Sequence, residues 1–216
     1  MFATGDIWDY WTVLLRGFGM TVAISTISML LGLFGGALVG TARSYGPAAI
    51  RLLCRAYTEA FRSTPPLLLF FGAYYGLSFA TDLKLTPFSA AVIALTLEAS
   101  ALLSEAVRGA LQSVGPGQWD AARALGLRFG PTLARIVLPQ ALLVLAPPAV
   151  GIFVAVLKDS SFASIVGLVE LTRAGLLVRE TTGESLRVFV LLAAAYLVLN
   201  AAVSAVGHAL ERERRC

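Results

Sequence analysis

The sequence predicts an all-α membrane protein with five transmembrane helices. Hydrophobic residues make up 57% of the 216 residues and charged residues only 14%, whereas soluble domains carry about a quarter charged residues. The charges also cluster, which leaves uncharged runs close to the roughly 20 apolar residues that a helix needs to cross a bilayer. These runs are apolar on all sides, which excludes a barrel of alternating strands. We place the spans in one domain, residues 1–216, at about 12–41, 64–81, 86–108, 137–157 and 187–210.

The first span carries a small residue at every fourth position, namely Gly32, Gly36 and Gly40. Such spacing puts the glycines on one helix face and lets another helix approach closely. The approaching helix could belong to this chain or to a second subunit, and the sequence leaves both open.

The second and third spans each contain one unusual feature. Pro65 and Pro66 stand at the start of the second span, where proline costs no helical hydrogen bond. This start is either a simple helix beginning or part of a permeation path. The third span reaches the required length only if Glu98 lies inside the membrane.

The fourth span contains Pro147 and Pro148 near its middle, and we expect a bend or break there because proline removes backbone donors. Residues 160–169 are apolar but too short to cross, so we expect an interfacial or re-entrant segment. The fifth span, 187–210, has no such interruption.

Basic residues predict the orientation of the chain. Eleven of the 17 Lys and Arg residues lie after span one, after span three or in the C-terminal tail. The positive-inside rule therefore places the N-terminus outside and the C-terminus inside. The basic balance follows this membrane rule, and no soluble basic face with aromatic platforms indicates a nucleic-acid partner. The basic residues concerned are Arg43, Arg51, Arg55, Arg62, Arg108, Arg123, Arg128, Arg135, Arg212, Arg214 and Arg215.

A loop at about residues 112–136 connects spans three and four on the predicted cytoplasmic side. We expect a short helix to start near Asp120, where a carboxylate suits the positive end of the helix dipole. Ala121, Ala122 and Leu125 are good helix formers, and Gly126 suits a left-handed helix stop. The small alanines would let the groove of a partner protein approach closely.

This loop resembles the coupling loop of ATP-binding cassette (ABC) importer permeases. Their signature is Glu-Ala-Ala, three residues, Gly, nine residues, then Ile-x-Leu-Pro. This chain has Asp-Ala-Ala at 120–122, Gly126, and Ile-Val-Leu-Pro at 136–139. The spacing is the same, and the only departure is Asp for Glu, which keeps the charge.

Further matches resemble the polar amino acid permease subfamily, the histidine, glutamine and arginine type. They are Arg-Ser-Thr-Pro at 62–65, Ser-Glu-Ala-Val-Arg-Gly-Ala at 104–110, and Leu-Lys-Asp-Ser-Ser at 157–161. The resemblance implies the transmembrane domain of a type I ABC importer in the bacterial inner membrane. It implies ATP-driven alternating access that imports a polar amino acid or a derivative of one.

The resemblance also implies several partners. In the family, the coupling loop docks on an ATPase subunit. This chain lacks the Gly-x-x-x-x-Gly-Lys-Ser/Thr sequence, so we expect no cofactor and no enzyme activity here, with ATP and Mg on that separate ATPase. We also expect a second permease subunit, identical or homologous, and an extracytoplasmic solute-binding protein.

Ionisable groups inside a membrane are costly and usually face a partner or a cavity. Glu98 with Ser100, and Asp159 with Ser160 and Ser161, are therefore the candidate substrate-binding groups, together with Thr64 at the start of span two. The structural alternatives are a hydrogen bond from Glu98 to another span, and an interfacial ion pair of Lys158 with Asp159.

Two departures from the subfamily affect this prediction. Members usually carry Asn at the position of Glu98 and Glu at the position of Ile152. Either Glu98 faces the ammonium group of a differently shaped amino acid, or this chain is the non-binding half of a heterodimer. Two other function classes are an ion-coupled secondary carrier, which leaves the 112–136 loop without a purpose, and a non-transporting scaffold subunit.

Overall fold

The computed structural model describes residues 6–81 and 84–213, and these residues form helices joined by short connections, with no strand among them. A short 3-10 turn precedes the first helix, and two π-helical turns lie at Gly72–Gly76 and Leu133–Val137. The helices are α1 Trp11–Tyr45, α2 Ala48–Ser63, α3 Pro66–Thr81, α4 Pro87–Ser113, α5 Pro116–Ala124, α6 Phe129–Thr132, α7 Leu138–Asp159, α8 Leu171–Thr182 and α9 Ser185–Glu213.

Each predicted span coincides with one of these helices, so the all-helical prediction is confirmed. Within the described residues, four apolar helical stretches are long enough to cross a membrane: Ile7–Tyr45, Pro87–Ser113, Phe129–Val166 and Ser185–Gly207. The fifth, α3, is apolar but shorter. Arg214 and Arg215, which entered the orientation argument, lie outside the described residues.

The glycine face of α1 packs within the chain, against α4. Cβ atoms built on Gly32 and Gly36 would lie 2.7 Å from the Cβ of Ala99 and 2.6 Å from the Cβ of Leu103. A Cβ on Gly40 would lie 2.6 Å from the carbonyl oxygen of Ser104. The structure thus decides the question that the sequence left open, because these glycines have no free face for a second subunit.

Helix α2 also packs on α4, through polar groups. The Thr58 and Ser104 hydroxyls lie 2.9 Å apart, and the Tyr57 and Ser100 hydroxyls lie 2.5 Å apart. Pro65 and Pro66 then separate α2 from α3, and Pro66 is the first residue of α3. These prolines therefore stand at a helix start, and a role in a permeation path stays a prediction.

Pro147 and Pro148 lie inside α7, which runs from Leu138 to Asp159 without interruption. The expected break does not occur, whereas the expected bend stays a prediction. A proline keeps a helical φ, so the helix can continue through the residues on either side of it.

The segment after α7 is short and helical. Ser160–Val166 forms a 3-10 turn that ends at Gly167, whose φ of 88° requires glycine. Helix α8 follows, and the sequence did not predict it. It packs against the N-terminal half of α1, where Gly17 approaches Ala174.

Candidate functional site

The predicted coupling loop, about residues 112–136, contains a short exposed helix followed by a glycine turn. We call this loop the coupling segment. Helix α5 begins at Pro116, so it starts four residues before Asp120, where the sequence had placed the helix start. Pro116 has the fixed φ that suits a first helical turn. Asp120 instead lies in the body of the helix, where its carboxylate forms a salt bridge of 3.1 Å with the Arg123 guanidinium. Gly126 follows the helix with a φ of 73°, in the left-handed conformation that was expected.

One face of this coupling segment points away from the rest of the chain. Asp120, Ala121 and Gly126 are exposed, and Leu125 is 79% exposed. Ala122 differs, because it is only 1% exposed and packs inward. A partner docking here would therefore touch Leu125 and Ala121 and would not reach Ala122.

Three aromatic rings hold the coupling segment against the end of α1. Trp119 and Phe129 stack with ring centroids 5.5 Å apart. Tyr45, the last residue of α1, lies 5.4 Å from Trp119 and 5.3 Å from Phe129. We call these three residues the aromatic clamp. Because aromatic pairs in this geometry stabilise beyond the area they bury, α5 is fastened to a membrane-spanning helix.

Glu98 lies in the middle of α4 and is 8% exposed. One of its carboxylate oxygens, Oε2, is buried and has no hydrogen-bond partner among the described residues. A buried carboxylate without a partner is costly, so Glu98 remains a candidate binding group.

Most of the other predicted site residues already form hydrogen bonds within the chain. The Ser100 hydroxyl forms a hydrogen bond with the Tyr57 hydroxyl, and it also donates to the Leu97 carbonyl at 3.0 Å. Ser160 is fully buried and donates to Leu157. Thr64, which follows the last residue of α2, donates to the Ala60 carbonyl of that helix. Asp159 and Ser161 are half-buried.

These placements separate the predicted site into two parts. Glu98 keeps a carboxylate oxygen without a partner among the described residues, whereas Ser100 is tied to α2 through Tyr57. The hydroxyls of Ser160 and Thr64 already serve neighbouring carbonyl groups. Within the described residues, no three His, Cys, Asp or Glu side chains come together as a metal site.

Sequence reasoning missed Glu170, which is fully buried where α8 begins. Its carboxylate accepts hydrogen bonds from the backbone N–H groups of Thr172 and Arg173, both at 2.8 Å. The Tyr196 hydroxyl on α9 donates to it at 3.0 Å, and Thr21 on α1 donates at 3.4 Å. One carboxylate thus joins α1, α8 and α9. An acidic residue just before an apolar stretch is a helix-cap signal that could have drawn attention to it.

Residues 28–215 match the family described as "binding-protein-dependent transport system inner membrane component". The chain belongs to this family. The predicted resemblance to ABC importer permeases is therefore confirmed, and the permease is a multi-pass inner-membrane protein.

The similarity to individual relatives extends along almost the whole permease. The glutamine transport system permease protein GlnP of Escherichia coli (strain K12) is 31% identical, over 97% of this chain and 96% of the relative. The L-cystine transport system permease protein TcyB of Bacillus subtilis (strain 168) is 32% identical, over 95% of this chain and 90% of the relative.

A solved structure has the same fold. The chain of a crystal structure of an amino acid ABC transporter with histidines superimposes on the permease with a TM-score of 0.88. The two are 27% identical, and the match covers 98% of the permease and 100% of that chain. The predicted fold class, the transmembrane domain of an ABC importer, is confirmed.

Proposed function

We propose that this permease carries a polar amino acid inward and is driven by a separate ATPase that docks on the coupling segment. The observation that carries the proposal is the exposed face of α5, with Leu125 79% exposed beside the left-handed turn at Gly126. A large apolar side chain held in this way at the end of a short helix suits a groove on a partner protein. The aromatic clamp supports the same role, because it links that helix to α1.

The proposed division of labour follows from the residues of this chain. ATP and Mg are bound by the ATPase, since this chain has no phosphate-binding sequence of the Gly-x-x-x-x-Gly-Lys-Ser/Thr type. A second permease subunit completes the path, and an extracytoplasmic binding protein delivers the solute. We propose that the N-terminus lies outside and the C-terminus inside, an orientation that the clustering of the basic residues supports.

The five crossings of the proposed topology are residues 12–41, 64–81, 86–108, 137–157 and 187–210. Helix α3 alone has 16 residues, about 24 Å, against a hydrocarbon thickness of about 30 Å. Thr64 and Pro65, which precede α3, bring the proposed crossing to 18 residues, about 27 Å.

For the substrate, we propose an amino acid whose ammonium group binds the buried carboxylate of Glu98. The relatives named above carry glutamine and cystine, which are both polar amino acids. Glu98 supports this assignment because its Oε2 has no hydrogen-bond partner among the described residues. Asp159 and Ser161 would line the same site. Ser100, Ser160 and Thr64 would form part of its wall, with hydroxyls that already form hydrogen bonds within the chain. If this subunit is the non-binding half of a heterodimer, Glu98 has a purely structural role.

Cross-linking combined with uptake tests the proposal. Leu125→Cys should capture the partner ATPase, whereas Ala122→Cys, three residues earlier on the same segment, should not, because Ala122 is buried. Uptake into proteoliposomes should require ATP inside, the ATPase and the binding protein. Uptake that persists without ATP would favour a secondary carrier. Equal capture at both positions, or at neither, would contradict the docking surface.

A further inference from the structure

A cleft of about 430 Å³ opens where α1, α2 and α4 meet. Five guanidinium groups line it, and no part of the transport proposal uses them. Because arginine presents planar donors that match phosphate and carboxylate oxygens, such a cleft suits an anion. We call it the arginine cleft, and its guanidinium groups belong to Arg43, Arg51, Arg55, Arg62 and Arg108.

Two of the five charges have no counterpart. Glu105 accepts a hydrogen bond from Arg43 at 2.7 Å and also binds Arg108, and Glu59 lies 3.3 Å from Arg62. No described residue forms a hydrogen bond or an ion pair with the side chain of Arg51 or Arg55. These two arginines are one helical turn apart on α2 and are both exposed, so the cleft carries an excess of positive charge.

The cleft lies at the depth of the lipid phosphates. Measured along the axis of α4, Glu105 lies about 27 Å from Pro87, the first residue of the helix. Arg108 lies about 31 Å from Pro87. This length is close to the hydrocarbon thickness of a bilayer, about 30 Å. Arg43 lies two residues before the end of α1, so it belongs to the same membrane surface. Under the proposed orientation, this surface is the cytoplasmic one.

An apolar strip runs beside the charged one on α2. Leu52 is 68% exposed, and Ala56 and Ala60 are exposed at the following four-residue steps. Residues at this spacing share one helix face, so the strip runs into the membrane next to the arginines. An anion and an adjoining apolar chain are the two parts of an anionic phospholipid.

We propose that the arginine cleft binds the phosphate of an anionic phospholipid, whose acyl chain lies along Leu52, Ala56 and Ala60. Basic pockets between transmembrane helices on the cytoplasmic side are suited to such headgroups. The choice of leaflet rests on the proposed orientation, whereas the binding chemistry does not. The bound lipid would fasten α2 to α1 and α4, next to the coupling segment.

Native mass spectrometry of the assembled permease–ATPase complex tests the proposal. The complex is incubated with phosphatidylglycerol or phosphatidylcholine, and the retained lipids are counted. We expect preferential retention of phosphatidylglycerol and an apparent affinity about 30-fold weaker in Arg51→Gln/Arg55→Gln, since each arginine near the surface contributes about 1 kcal/mol. Arg16→Gln/Arg187→Gln removes the same charge from the other end of the helices and should bind as the unmodified complex does.

Three results would overturn the proposal. One is equal retention of the two lipids. Another is equal loss in both double variants, and the third is displacement of the lipid by millimolar inorganic phosphate, which would assign the cleft to a free anion. Arg51→Lys/Arg55→Lys guards against misfolding, because it keeps the charge and should retain most of the binding. Lipid retention is read without transport, so its failure leaves the proposed import untouched.

Discussion

Gly36 of α1 lies directly against Leu103 of α4, and no side chain fits between the two helices. A Cβ atom on Gly36 would lie 2.6 Å from the Leu103 Cβ and 3.1 Å from backbone atoms of α4. The two helices pack backbone to backbone along this line, which also includes Gly32 and Gly40. Close packing of this kind is the main source of helix association in lipid, where burial of apolar surface adds little.

Replacing Gly36 by alanine should therefore destabilise the permease. The new methyl group meets backbone atoms that cannot rotate away, and overpacking of this kind costs about 1–3 kcal/mol. The measurement is the thermal unfolding temperature in detergent. Gly19→Ala is the matched control, because a Cβ on Gly19 meets nothing within 4 Å. Equal unfolding temperatures for the two variants would show that α1 and α4 are not in close contact.

Replacing Glu98 by glutamine should weaken substrate binding without unfolding the protein. The amide keeps the size of the side chain but loses the negative charge that attracts an ammonium group. A lost charge-assisted hydrogen bond corresponds to about tenfold or more in affinity. The half-saturating substrate concentration of ATP-dependent uptake reports this change, and the exposed Glu180→Gln is the control. An unchanged value for Glu98→Gln would favour the non-binding half of a heterodimer.

Replacing Trp119 by alanine should uncouple ATP hydrolysis from transport. The variant loses two of the three ring contacts in the aromatic clamp, so α5 moves with less effect on α1. We expect fewer solute molecules carried per ATP hydrolysed, while hydrolysis itself continues. The control is Trp8→Ala, which removes an exposed tryptophan far from the clamp. A transport ratio that is unchanged for Trp119→Ala would exclude the clamp from force transmission.

Replacing Glu170 by alanine should loosen the junction of α1, α8 and α9. The helix cap of α8 is lost, and Tyr196 and Thr21 lose their buried acceptor. The combined effect should be about 2 kcal/mol or more, seen as a lower unfolding temperature. Glu180→Ala removes an exposed carboxylate from the same helix and should have little effect. If both variants unfold at the same temperature, the Glu170 hydrogen bonds add no net stability.

Much of the site could be predicted from the sequence where the signal is local. The Gly126 turn follows from its place after a run of helix formers, and its φ of 73° agrees. The inward direction of Ala122 could not be predicted, since it depends on which face of α5 meets the neighbouring helices. Glu170 was missed for the same reason, because its partners Thr21 and Tyr196 lie 149 and 26 residues away along the chain.

The sequence by itself determined that this chain is helical, that it crosses a membrane, and where most of its crossings lie. Lipid offers no hydrogen bonds, so each crossing must satisfy its backbone within one continuous apolar segment, and such segments are visible in the residues. Only the tertiary structure decided that the α1 glycines face α4 and that five arginines share one cleft. The same holds for the Glu98 oxygen that finds no partner in the part of the chain that the structure describes. These are relations between distant segments, and they arise only when the helices pack.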